Sequence, residues 1–565
     1  VQTCALPICY SSSGALYNSH ASTGATVSGN ITLAAATTIK NDTGSGTLTL
    51  SGTVDGGYAL TVTNSTGAIA LNGAVGGGTP LTSISISGAS SLGANVTTSG
   101  TQTYTGAVTV SGGDRTLTTS STSVGDTIVF GSTVDSDVTA ARALTITTGS
   151  STPTVRFNGV VGGTNPLGAI AITGALDLNA IIQKTSDSSA GAASLTVSGV
   201  SDLGANVNTS GIQTYSGAVT LSADVIITTS NANVTFSSSI ARDATARDLT
   251  FNTGTGTVSI TGAVGSGAAL DVITLTQTGG TTFSSTVDAA TITLTDTADA
   301  ANITFSGNVT ATTLNTATQG YNVVFNGSSN SITNAVTFSN TGTVTLGNGS
   351  DTLAFTGGVT ATAPSSKIIN GTITAAGTGV INLGTSAVTV SGDSTVGGTS
   401  TGAITLGAAT LADGVTLTVG GGAYAANITL STVTGTASGT ASNLTINTTG
   451  TVSASTIGTD IGTVTVTQSG GTTFSSTVNA ATVTLTNTTG AITFNGALTA
   501  TTLNTAAAGY NVAINAGGTI TNAVTFSNTG TVTLGDASGD SVTFTGGVTA
   551  TRSEEHTSEL QSRPH

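Results

Sequence analysis

The 565-residue sequence has no Met and no Trp, only 2 Cys, 3 His and 6 Pro, and just 6% of it is charged. Soluble domains usually carry about 25% charged residues. The 10 Lys and Arg are outnumbered by 25 Asp and Glu, so no basic stripe is available for nucleic acid. Aromatics at 4% leave little bulk for a conventional large core. No apolar run approaches the ~18 residues that mark a membrane helix, and no stretch shows a helical period. Disorder is equally excluded, because a mean hydropathy of +0.30 is the opposite of the polar, highly charged composition of disordered chains. What remains is an ordered, nearly uncharged chain rich in Thr, Ala and Val, with 77 Gly.

The two ends differ from the rest. All three glutamates, Glu554, Glu555 and Glu559, fall in the closing RSEEHTSELQS stretch. The opening VQTCALPI is encoded by GTTCAGACGTGTGCTCTTCCGATC, whose reverse complement encodes SEEHTSE. That symmetry reads as sequencing adapter translated at both ends, so residues 1–8 and 552–565 are set aside from fold reasoning. The expectation is then an internal fragment with at most one native cysteine, Cys9, and one native histidine, His20.

The body is built from copies. Gln277–Thr362 and Gln468–Thr551 share QxGGTTFSSTV, ATTLNTA, GYNV, TNAVTFSNTGTVTLG and TGGVTAT. In the first half, LGANVTTSGTQTYTGAVTV from Leu92 returns as LGANVNTSGIQTYSGAVTL from Leu203, and NGAVGGGTPL at Asn72 returns as NGVVGGTNPL at Asn158 and loosely as TGAVGSGAAL at Thr261. The expected division is a first repeat family over residues 9–275 and a second over 276–551. Such duplication marks an array that grows by adding units.

Within each copy apolar and small polar residues alternate, as in Thr343-Val344-Thr345-Leu346 and Ala491-Ile492-Thr493-Phe494. A period of two over about four to six residues predicts short strands with one buried face, separated by Gly, Asn, Asp and Ser turns. Sandwich domains would need larger cores. A parallel β-helix, that is a β-solenoid, needs only thin ladders of Val, Ile and Leu between stacked coils, and the expected fold is therefore all-β and solenoidal. With coils of ~25 residues rising ~4.8 Å each, it would form a rod on the order of 100 Å long. Uncharged Thr and Asn tolerate such stacking, where like charges would repel.

The TSGTQTYTGAVTV and ATTLNTA, GYNV, TNAVTFSNTGTVTLG units resemble the strand repeats of very large secreted bacterial surface proteins of the filamentous haemagglutinin-like and autotransporter adhesin kind. The resemblance covers nearly all of residues 20 to 551. It implies a right-handed parallel β-helix exported across an outer membrane, with roles in adhesion, biofilm formation or contact with other cells.

Residues able to do chemistry are scarce. His20 has Asp42 as its nearest carboxylate in sequence and no evident partner for general-base or metal work, so it reads as a turn residue. Asp135 and Asp137, one residue apart, would share a face of a strand. A glycan-cleaving pair wants a defined separation around a sugar groove lined by aromatics, but no Trp is present and the eight Tyr are dispersed, so the pair reads as solvated turn residues. Arg242-Asp243, Arg247-Asp248 and Arg142 form further charged groups that read as solvated turns. Gly347–Leu353 imitates half of a calcium-binding nonapeptide, but its counterpart at Gly535–Asp540 loses the spacing. Gly420–Gly422 lacks the Lys-Ser/Thr of a phosphate loop. Asn302, Asn308, Asn427 and Asn443 head Asn-x-Ser/Thr triplets that matter only in a host that glycosylates them.

The expected function is therefore structural and adhesive. The chain reads as a stalk or surface-contact segment, secreted or outer membrane-associated, without catalytic, cofactor-binding or metal-binding residues. The expected partners are host or bacterial cell surfaces, glycans or a second copy, with nucleic acid excluded and membrane reached only through segments outside this sequence. The alternatives are an ice- or crystal-surface binder, from Thr pairs such as Thr465/Thr467 and Thr484/Thr486, and a polysaccharide-degrading β-helix enzyme.

Overall fold

The computed structural model describes residues 15–18, 24–41, 46–123, 125–138, 140–422, 424–437 and 439–550. His20, Asp42, both cysteines and both terminal segments lie outside the described residues. The described chain is all-β, with no helix and with parallel strands stacked as a β-solenoid of about 24 turns. It falls into two compact units, residues 1–303 and 304–565.

In the first unit many strands are only three residues long. Gln102–Tyr104 and Val108–Val110 each follow a buried, half-buried, buried pattern, as strict alternation requires. Stacking at strand spacing brings like residues together. Tyr104, Phe130 and Phe157 lie face to face with ring centroids 5.4 and 4.8 Å apart, and Tyr215 and Phe236 repeat the arrangement at 4.7 Å. The few aromatics are thus concentrated in the core, where they fill the coil interior that Val and Ile leave.

In the second unit strands bend round corners without breaking. The sequence predicts strands of four to six residues, whereas Thr343–Phe355 runs for 13 and Val478–Thr488 for 11. The reason is local. Along Val478–Thr488 alternation slips twice, at Ala481-Thr482 and Thr486-Asn487, where two consecutive residues face outward. Each slip turns the chain onto a new face while the ladder continues. Period two holds on each face and fails at each corner.

Coils are tied to one another by their turn residues. The Oδ1 atoms of Asn95, Asn206, Asn427 and Asn511 accept the backbone amides of Thr116, Ile226, Thr451 and Thr531 on the following coil, at 2.8–3.0 Å. Asp224 and Asp393 do the same for Asp248 and Thr416. Loop amides that stacking alone leaves unpaired are thereby satisfied. Glycine is required where backbones nearly touch: a Cβ on Gly421 would sit 1.8 Å from the carbonyl oxygen of Gly398.

Candidate functional site

Asp135 and Asp137 share a face, as their spacing predicts. They flank the inward Ser136 at the end of the strand Val134–Ser136 and line an open groove of about 460 Å³ with Ser91, Ser111, Thr164 and Asn165. Both carboxylates are occupied by the fold. Asp135 Oδ1 accepts the amides of Thr164 and Asn165 at 2.8 and 3.2 Å. Asp137 accepts the Gly112 amide at 2.9 Å and pairs with the Arg142 guanidinium at 3.2 Å.

A duplicate shows what the first of these carboxylates does. Asp55 accepts the amides of Gly78 and Thr79 through the same oxygen, at 2.8 and 3.2 Å, and Gly78 and Thr79 occupy in NGAVGGGTPL the places of Thr164 and Asn165 in NGVVGGTNPL. In the loop starting at Thr261 the tie is made instead by Arg242, whose Nε donates to the Ala269 carbonyl at 2.7 Å. Loop anchoring therefore accounts for Asp135. The bond from Gly78 also holds the Asp55 carboxyl below its ordinary value, because an amide donor favours the ionised form.

The other charged groups singled out in the sequence are likewise engaged by the fold. Arg247 grips Asp243 with two bonds of 2.9 and 2.7 Å, which lowers the Asp243 pKa. Asp248 moves the other way, raised by burial and by the Asp224 charge. In the calcium-like segment Asp351 closes its own loop by accepting the Asn348 amide at 2.7 Å, and Asp540 accepts those of Asp536 and Ala537 at 2.9 and 2.7 Å. Among the described residues no three His, Cys, Asp or Glu side chains gather as a metal site. Gly420–Gly422 packs against neighbouring coils, since a Cβ on Gly420 would meet the Asn447 carbonyl oxygen at 2.0 Å. Asn308 and Asn427, two heads of possible glycosylation triplets, use Oδ1 on the Ser329 and Thr451 amides.

No family model, curated protein or solved structure matches the chain. The functional reading therefore rests on the residues themselves.

Two features escaped the sequence reading. Lys367 occupies an inward column between Val344 and Val388 and is 0% exposed. Its ammonium donates to the Ser386 hydroxyl, which in turn donates to the Pro364 carbonyl at 3.0 Å, and burial lowers its pKa. Its parity with Ile369 and Ile373 in Ser366–Ala375 was the available signal. The second feature is the ordering of the threonines. In the pair Thr484/Thr486 only the first hydroxyl faces out, because Thr486 Oγ1 donates to the carbonyls of Val466 and Thr467 at 3.1 and 2.6 Å. The regular outward pairs are Thr463/Thr465 and Thr482/Thr484.

Proposed function

We propose that this chain is a structural and adhesive repeat segment of a secreted or cell-surface bacterial protein, serving as a stiff spacer or a surface-contact module. The observation that carries this reading is a fold assembled from duplicated, self-similar coils in which the groove carboxylates already serve the loops. Stacked coils bury one another in series, so a segment lengthens by duplication without a new core. Its low charge leaves long stretches of Thr, Ser and Asn hydrogen-bonding groups facing water, a surface suited to glycans, to cell envelopes or to another copy of itself. In this reading the chain is non-catalytic and lies outside the cytoplasm, at or beyond an outer membrane.

The test is attachment. Beads coated with the purified chain are expected to bind bacterial or host cells, or one another, more than beads coated with an uncharged control protein. Equal retention of both bead types on cells and on glycan arrays, without bead clustering, overturns the proposal.

A further inference from the structure

Five successive coils in the second unit carry a two-column array. One column runs Thr416, Asn443, Thr463, Thr482, Thr502, and the other runs Thr418, Thr445, Thr465, Thr484, Asn504. Every step within a column is a direct ladder pairing. The register shifts recorded nearby, at Ser442/Asn443 and Ile446/Asn447, fall at the edges of this face and leave the pairings inside it unbroken. Unequal coil lengths are absorbed in the loops, so they do not disturb the alignment that a lattice-matching surface requires.

The geometry fixes two repeats at once. Neighbours within a column lie one strand spacing apart, about 4.8 Å, and the two columns lie two residues apart along each strand, about 6.6 Å. Elsewhere in this unit, the face built from Thr405, Thr429, Ser453, Thr473 and Thr493 rests on three-residue strands and presents a single column. Such a column repeats in one direction only. The wide face repeats in two.

Its hydroxyls are also unspent. The Thr416, Thr484 and Thr502 hydroxyls each receive one asparagine amide, at 3.5, 3.4 and 3.0 Å, whereas the hydroxyls of Thr418, Thr445, Thr463, Thr465 and Thr482 have no hydrogen bond to the described protein. This contrasts with Thr486, whose hydroxyl is turned onto the backbone. None of the ten side chains ionises, so none holds the tightly oriented hydration shell of a charge. Each threonine offers a methyl that cannot hydrogen-bond and a hydroxyl that can donate and accept, alternating on a rigid sheet whose rotamers are restricted by β-branching. A pre-ordered surface of this kind loses little entropy on binding, so many weak contacts sum.

We infer that this face binds ordered, hydrogen-bonded water, and that its ligand is the surface of ice. The inference is independent of the adhesive reading, since cell attachment and ice binding are separate readouts. The experiment measures thermal hysteresis and ice-recrystallisation inhibition with the whole purified chain and three variants, with β-sheet circular dichroism as the check on folding. Thr465→Lys places a charge at the centre of the array, Thr465→Tyr places bulk there with a strong strand former, and Thr473→Lys is the control on the single-column face. The expected result is activity in the parent and in Thr473→Lys, and its loss in both Thr465 variants. Absence of both activities in the folded parent overturns the inference. So does equal activity in the parent and a folded Thr465 variant, or equal loss in the Thr473 and Thr465 variants.

Discussion

The hydroxyl of Tyr104 donates to Gln102 Oε1 at 3.0 Å, two residues back on the same inward face, and Tyr215 repeats this with Gln213 at the same distance. Both glutamines are fully buried and donate Nε2 to a backbone carbonyl, that of Thr118 at 2.9 Å and that of Thr228 at 2.8 Å. A buried polar pair is thus closed on itself inside the core. Burial pushes both tyrosine pKa values up, so the phenols stay protonated and act as donors.

Replacing Gln102 with Leu is expected to leave the Tyr104 hydroxyl without its acceptor and to remove the side-chain donor from the Thr118 carbonyl, at a cost of about 1–3 kcal/mol. Tyr104→Phe alone is expected to cost about 1 kcal/mol, and the double variant less than the sum. Stacked coils need not unfold as one unit, so the measurement is hydrogen exchange over residues 96–130. Strict additivity of the two changes would contradict the closed pair.

Asp135 is expected to act on its loop. Asp135→Ala should raise exchange at residues 162–167 by the equivalent of about 1 kcal/mol, and Asp55→Ala should loosen residues 76–81 in the same way. For Asp55 the sign follows from its lowered folded pKa: the stabilisation is present above the unfolded value of 3.8 and is lost as pH falls through the lower folded value. Protection of residues 76–81 should therefore persist down to that region and then collapse. A loop whose protection ignores both substitution and acid contradicts the anchoring role.

Lys367 is expected to weaken the fold it sits in. Its folded pKa lies below the unfolded 10.5, so the folded state carries the full burden of the buried charge at neutral pH. Stability of the coils around residues 344–390 should rise with pH between the lowered value and 10.5. Lys367→Met, which fills the column between Val344 and Val388 without a charge, is expected to stabilise by about 1–3 kcal/mol and to abolish that dependence. Destabilisation by Met would show that the ammonium is better satisfied than its bond to Ser386 implies.

The fold was legible because its signals are local and repeated. Thr343-Val344-Thr345-Leu346 states its inward residues by parity, and Val344 and Leu346 are both fully buried. The corners were not legible, since Ala481-Thr482 and Thr486-Asn487 look like small residues that merely follow one another within the alternation. Register between coils was hidden for a related reason. The pairing of Thr465 with Thr484 depends on how much chain each loop absorbs, and a single sequence does not state this. For the candidate site, the shared face of Asp135 and Asp137 followed from spacing. Their engagement with Thr164, Asn165 and Gly112 did not, because those amides lie 25 to 30 residues away along the chain and meet them only through the coil.

Direct pairing of Thr465 with Thr484 is the relationship on which both the solenoid and the two-column face proposed to bind ice depend. With Cys4 and Cys9 changed to serine, the pair Thr465→Cys and Thr484→Cys should form an intramolecular disulfide under mild oxidation. The paired Cα atoms lie one strand spacing apart, about 4.8 Å, inside the range a disulfide spans. The offset pair Thr465→Cys and Thr486→Cys, at about 8 Å by the same spacings, should remain reduced under those conditions. Faster closure of the offset pair, or equal closure of both, would contradict the register.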